Sequence, residues 1–480
     1  MATNDYDIIF TRRHPFLEER EDIYELIYNS YQGGHTYIDP ANRYLIQNKK
    51  ESDGSYKARY ARAVYLNQIR SLVELLVGIL YTKPPTRNVG TDLKWFFDQA
   101  DDKKRTFDQF MSTVATYSAL FTCGVLVDAP EEVPENERDR LDRSLYPYCV
   151  LYLPFDIIDF NFTQEGTLDW IILRNDYYDN SDYLSEGVMV EKRTLWTPEY
   201  HQSFEKNPTD RNITVGAVTY HNLGFVPFRF VNWKDDDPQV INESVFEDPA
   251  LISKSIFNDM SLLDEMIGSG SFKVLMYPST DGDVPSSLKL GGIGSLSIIP
   301  YKGEYKPPQF DGARLEDVEP YIKLIEFKIS EILKCVGMDT DETKDYVKSG
   351  LSKKIDFKKT QALLKAGALS LGELEEWIFR TLRSWEINTI NEEAPEVHYI
   401  THYDDEDTAT KVALFYQLLL LPFEKLRTTA TKLIAQHTLT GEVPNTEIEE
   451  VIEEIIKGKT KKDLTVSNLD AVRKENETNE

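Results

Sequence analysis

Residues 317–337 read DVEPYIKLIEFKISEILKCVG, and the spacing of their apolar side chains decides the fold. Val318, Ile322, Ile325, Ile329, Ile332 and Val336 recur at alternating steps of four and three, and Gly337 follows directly. That is one narrow seam on a helix, suited to packing against a second helix. Asp317 is placed to cap it, with Pro320 expected in the first turn. From Val318 to Val336 such a helix reaches roughly 28 Å at about 1.5 Å per residue. Working backwards, Asp248-Pro249 opens a second periodic stretch in which Ile252, Ile256, Met260, Leu263 and Ile267 share a face before Gly268 and Gly270. Between the two lie short strand signals, Lys273–Met276 and Ser295–Ile299, separated by glycine-rich turns. The pattern predicts an antiparallel helical hairpin with a small inserted module at its tip.

Outward from that centre, a long helix is predicted over about 353–388, where Phe357, Leu364, Leu371, Ile378 and Trp385 recur every seventh residue. Upstream, helices are predicted over 18–31, 56–80 and 106–121, the second stopped by Lys83-Pro84-Pro85. Between 123 and 233 the reading changes to short β-runs, among them Val125–Val127, Cys149–Leu153, Trp170–Leu173 and Phe228–Val231. A strand is expected at Val397–Thr401 and further helices at 408–421, 428–437 and 446–457. The fold class is α+β.

Composition bounds the function. The chain has 480 residues, 41% of them hydrophobic, with 54 Lys and Arg against 81 Asp and Glu, a formal charge of −27. Such an acidic protein lacks the general positive field that non-specific nucleic-acid binding requires. Three scattered cysteines, Cys123, Cys149 and Cys335, indicate a reducing compartment, with Cys335 expected buried at the seam's end. No leader is read at the start, and the densest apolar run, Val412–Leu421, is shorter than the roughly 20 residues needed to span a bilayer. The protein is expected to be soluble and made in the cytoplasm, without a membrane.

The residues that would carry catalysis are not arranged for it. Gly458-Lys459-Thr460 ends like a phosphate-binding loop, but Glu453 stands where that loop needs glycine. Gly291-Gly292-Ile293-Gly294 precedes a strand, so no helix N-terminus is offered to a phosphate. His398 and His402 lie on a predicted strand, about 13 Å apart, too far to share a metal. Asp404–Asp407 reads as a solvated turn and helix start more readily than as a cation site. No catalytic residue, metal or cofactor is assigned, and the chain is expected not to be an enzyme. One stretch departs from the acidic background: Lys344, Lys348, Lys353, Lys354, Lys358 and Lys359, with Lys365 beyond, could touch phosphates weakly or merely balance neighbouring acids.

Taken with Arg62–Asn67, Val77–Leu80, Lys83-Pro84-Pro85 and Asn222–Pro227, this order of elements resembles the portal proteins of tailed double-stranded-DNA bacteriophages. The resemblance implies a wing (1–248), a first stem helix (249–271), a clip (272–316), a second stem helix (317–337) and a tunnel loop (338–352). A long tunnel helix with a wing strand (353–403), a helical crown (404–458) and a flexible tail (459–480) would follow. It further implies a homo-oligomeric ring of about twelve copies at one capsid vertex, assembled in the host cytoplasm and retained in the virion. Double-stranded DNA would pass through without sequence specificity during packaging and ejection, the lysine stretch lining its path. Partners would be the major capsid protein, the terminase large subunit and head-completion or adaptor proteins. Alternatives are another head–tail connector component, or a metal-dependent nuclease using 404–407.

Overall fold

The computed structural model describes residues 6–400 except 131, 133–139, 141, 142, 144, 182–185, 207–211, 235–240, 272, 273, 279–297, 302–308, 312–314, 339–349 and 386–393. The chain divides into one unit of Met1–Tyr81 with Pro85–Thr401 and a second of Thr82–Pro84 with His402–Glu480. Every element named below belongs to the first. The helices predicted beyond residue 400 lie outside the described residues.

Six helices lead the chain: α1 (Asp7–Thr11), α2 (Pro15–Gln32), α3 (Gly34–Tyr37), α4 (Asp53–Arg62), α5 (Gln68–Leu80) and α6 (Phe107–Leu120). Pro15 sits at the first helical position of α2, where its missing N–H costs nothing. Thr106 and Gln109 cap α6 reciprocally. The single helix predicted over 56–80 is two, and the break has a local cause. Ala63 is extended (φ −60°, ψ 134°), and the Asn67 side chain accepts the Arg70 N–H at 2.9 Å to start α5 afresh. Asn67 and Arg70 also donate to the Tyr31 carbonyl, both at 3.0 Å, so the end of α2 holds the break in place.

The β-rich middle forms two antiparallel sheets from β2 (Cys123–Asp128), β3 (Tyr148–Tyr152), β4 (Ile157–Phe162), β5 (Leu168–Arg174), β6 (Tyr177–Asp179), β7 (Val188–Trp196), β8 (Tyr200–Lys206), β9 (Ile213–Tyr220) and β10 (Phe228–Val231). A first short strand, β1 (Thr86–Asn88), pairs elsewhere. One sheet runs β10-β2-β3; the other runs β4-β5-β7-β8-β9, with β6 beside β7. Gly124 on β2 pairs with Phe230 across the ladder, and the ring of Phe228 lies over it so closely that a Cβ there would fall 2.0 Å from the ring. Cys123 and Cys149 lie on β2 and β3, both fully buried, and burial pushes both thiols well above their ordinary range.

Then come α7 (Glu247–Ser271), a small sheet, and α8 (Leu315–Cys335). In that sheet β11 (Val274–Pro278) is central, parallel to β12 (Ile298–Tyr301) and antiparallel to β13 (Gln309–Asp311). Helix α8 starts earlier than predicted, at Leu315, so Pro320 lies inside it rather than in its first turn. The long α9 (Gly350–Trp385) follows, and β14 (Glu396–His398) pairs antiparallel with β1.

Helix α9 carries the core's centre. Leu364, Leu371, Leu374, Ile378, Phe379 and Leu382 have no exposed surface. Phe379 meets the Phe107 ring at 5.2 Å between centroids, and the Trp385 indole N–H donates to the Val127 carbonyl at 3.1 Å. The sevenfold repeat thus faces α6, β2 and β10, and it fixes α9 against both the helical and the sheet layers.

Candidate functional site

The helix pair α7–α8 is embedded at one end and bare at the other. At the embedded end, Ala250, Ile256, Phe257, Ile332 and Val336 are buried. Phe257 stands edge-on to Tyr37 at 5.3 Å, and Tyr37 stacks on Tyr65 at 3.6 Å. Helix α8 ends in a Schellman turn: the Gly337 N–H donates to Lys334 O at 3.0 Å and the Met338 N–H to Leu333 O at 2.8 Å. Gly337 has φ +79°, and a Cβ there would lie 2.8 Å from the Thr360 nitrogen of α9. Only glycine satisfies both the left-handed backbone and that approach.

Midway, the Lys328 ammonium binds the Asp259 carboxylate and donates to the Ser255 hydroxyl at 2.7 Å, tying α8 to α7. On the far side of α7, Arg59 of α4 is 3% exposed and holds Glu51 through Nε and Nη2, both at 2.8 Å, and Ser261 at 3.2 Å. Those hydrogen bonds hold the Glu51 carboxyl below the usual range. Arg62 pairs with Glu265 one turn further along.

At the bare end, Tyr321, Ile322, Leu324 and Phe327 of α8 and Ile267 of α7 are exposed, Phe327 by 58%. Several large apolar side chains on one pair of helices form a patch of the kind that marks an interaction surface. The seam therefore divides. Ile325, Ile332 and Val336 are buried, Val318 and Ile329 half-buried, and Ile322 exposed. Cys335 is exposed, not buried as expected, because the seam passes one residue away at Val336.

The lysine stretch is mostly beyond description. Lys344 and Lys348 lie outside the described residues, Lys353, Lys354 and Lys358 fall in the first turns of α9, and Lys359 and Lys365 are exposed. His398 is on β14; His402, Asp404–Asp407, Gly291–Gly294 and Gly458–Thr460 lie outside the described residues. Among the described residues no three His, Cys, Asp or Glu side chains gather as a metal-holding group, and no helix is long and apolar enough to cross a membrane.

Sequence reading missed one polar cluster. Glu375 of α9, with no exposed surface, accepts from Arg87 of β1 (2.6 and 2.9 Å) and from the Tyr399 hydroxyl (2.5 Å), while Arg87 also reaches Asp108 at 2.6 Å. Burial alone would lower Arg87, but the bidentate carboxylate overrides it and holds the guanidinium above its ordinary value. Burial pushes the Glu375 carboxyl above its ordinary range, and the donors from Arg87 and Tyr399 oppose that rise by favouring the ionised form. Beside it, Glu376 accepts the Val397 N–H at 3.3 Å. These two acids pin the β1–β14 pair to the long helix.

No family model matches the chain, and no curated protein matches it. Among solved structures, a chain from the neck of an empty GTA particle, computed with C6 symmetry, aligns over 88% of this chain and 98% of its own. The identity is 9% and the TM-score 0.38, a likeness too remote to bear on function.

Proposed function

We propose that this chain is a ring-forming, non-enzymatic subunit of the portal type, built to surround double-stranded DNA at one vertex of a phage capsid. The observation that supports the reading best is the uncovered end of the α7–α8 pair, where Tyr321, Ile322, Leu324 and Phe327 meet no other part of the described chain closely enough to be buried. A helix keeps such a face when another subunit covers it. The order of elements supports it too: two packed helices bracket a small sheet, and a long helix returns through the core. Under this reading α7 and α8 form the stem, β11–β13 belong to the clip, and the sheets and α9 make the wing. The acidic surface would keep DNA mobile, with the 344–359 lysines as a light grip. The clip would meet the terminase and later head-completion proteins, the wing would meet the capsid, and ATP hydrolysis would belong to the motor.

The deciding experiment is native mass spectrometry of the purified protein with negative-stain imaging. A ring of about twelve copies with a central hole is expected; a stable protomer across protein concentration and salt would overturn the reading. Steady ATP turnover by the isolated protein would overturn its non-enzymatic part.

A further inference from the structure

Helices α4 and α8 both pack on α7, forming an angled row of three. On α7, Ser261 and Glu265 hold Arg59 and Arg62 of α4, whereas Ser255 and Asp259 hold Lys328 of α8. At about 100° of turn per residue, those two sets project roughly 120° apart, so α4 and α8 flank α7 on different sides. The row's outer edges differ in chemistry. Residues 41–62 contain six cations and two acids in a chain of charge −27. Lys49, Lys50 and Lys57 are exposed there and make no ion pair with a described residue, and Ile46 and Val64 beside them are 60% and 55% exposed. On the α8 edge, Phe327 is exposed, with Glu326 and the Glu319–Lys323 ion pair (2.7 Å) exposed toward one flank and Leu324 toward the other.

We propose that successive copies join through these two edges: the α8 edge of one copy seats on the α4 edge of the next, Leu324 and Phe327 against Ile46 and Val64, the glutamates against the lysines. The inference rests on the ring reading above and names its contact. Two unlike edges make a heterologous joint, which repeats in one direction and can close into a ring. Charge supplies the direction. Copies this acidic repel over most of their surface, and the 41–62 segment is where an approaching neighbour meets opposite charge. The apolar pairs then exclude water from the joint.

Three samples test this by native mass spectrometry: wild type, the α4-edge variant K49E/K50E/K57E and the α8-edge variant E319K/E326K. All substituted side chains are exposed, so each variant should keep the wild-type circular dichroism and melting. Wild type should form rings and each variant alone should lose them. An equimolar mixture of the two variants should regain rings with alternating composition, because the reversed edges again match. Rings from either variant alone would overturn the contact and leave the ring reading standing. Loss in both with no recovery on mixing would overturn the pairing of these two edges. If K49E/K50E/K57E forms rings but loses affinity for a labelled DNA duplex, the basic edge serves phosphates and the proposal fails. A wild type that stays a protomer would overturn the ring reading and this contact together.

Discussion

The two ends of the α7–α8 pair are built from the same residue types and put them to different uses. At the embedded end, isoleucine, valine and phenylalanine side chains vanish against α5, α9 and the Tyr37–Tyr65 stack. At the bare end, leucine, isoleucine, tyrosine and phenylalanine keep a third to more than half of their surface in water. Among the exposed apolar side chains of α8 only Ile322 keeps the seam's steps of three and four, whereas Leu324 and Phe327 lie off it, so periodicity separates the faces of the helix but not its two ends. Placement in the rest of the fold decides whether such a residue is buried in the protomer or stays at its surface.

That contrast can be broken most sharply at its embedded end. Ile332→Ala removes a side chain that is 1% exposed and should cost about 3 kcal/mol of protomer stability, read by denaturant unfolding. Gly337→Ala should cost about 2 kcal/mol, since it forces a left-handed backbone and a clash with the Thr360 nitrogen. Acid should act more gently, through Glu51. Its carboxyl titrates below the ordinary value of 4.5 because Arg59 holds it, so its contribution is present above that value and lost as pH falls through the lowered one. A shallow decline in melting temperature on the acid side, absent in Glu51→Gln, is the expected signature. Phe327→Ser sharpens the contrast from the other side. It should change protomer stability by no more than about 0.5 kcal/mol while removing rings from the native mass spectrum. A large destabilisation by Phe327→Ser, or none by Ile332→Ala, would erase the distinction.

Much of the helical framework was legible because its periodicity is long: 353–388 was read for Gly350–Trp385, and the pair α7–α8 emerged from spacing alone. The break in 56–80 was not, because Asn67 reads as an ordinary polar residue until Tyr31 and Arg70 are brought beside it. Strands β7–β9 are harder to read because they are half-exposed and largely polar; in β7, Glu191-Lys192-Arg193 interrupts the apolar Val188–Val190 and Leu195-Trp196. Within the site, the seam was visible but its division was not, since burial depends on contacts far away in sequence. Glu375 was invisible for the same reason. A lone glutamate in a charged helix reads as solvated, and its partner Arg87 lies 288 residues away. A carboxylate on the apolar side of the 364–371–378 repeat was the one available signal.

The distribution of thiols gives the unmodified protein its own unfolding gauge. Cys123 on β2 and Cys149 on β3 have no accessible surface, whereas Cys335 is exposed at the end of α8. An alkylating reagent should therefore modify the native chain once and the opened chain three times. The ratio of singly to triply labelled mass, followed over time or denaturant, counts molecules that have lost the sheet without any engineered reporter.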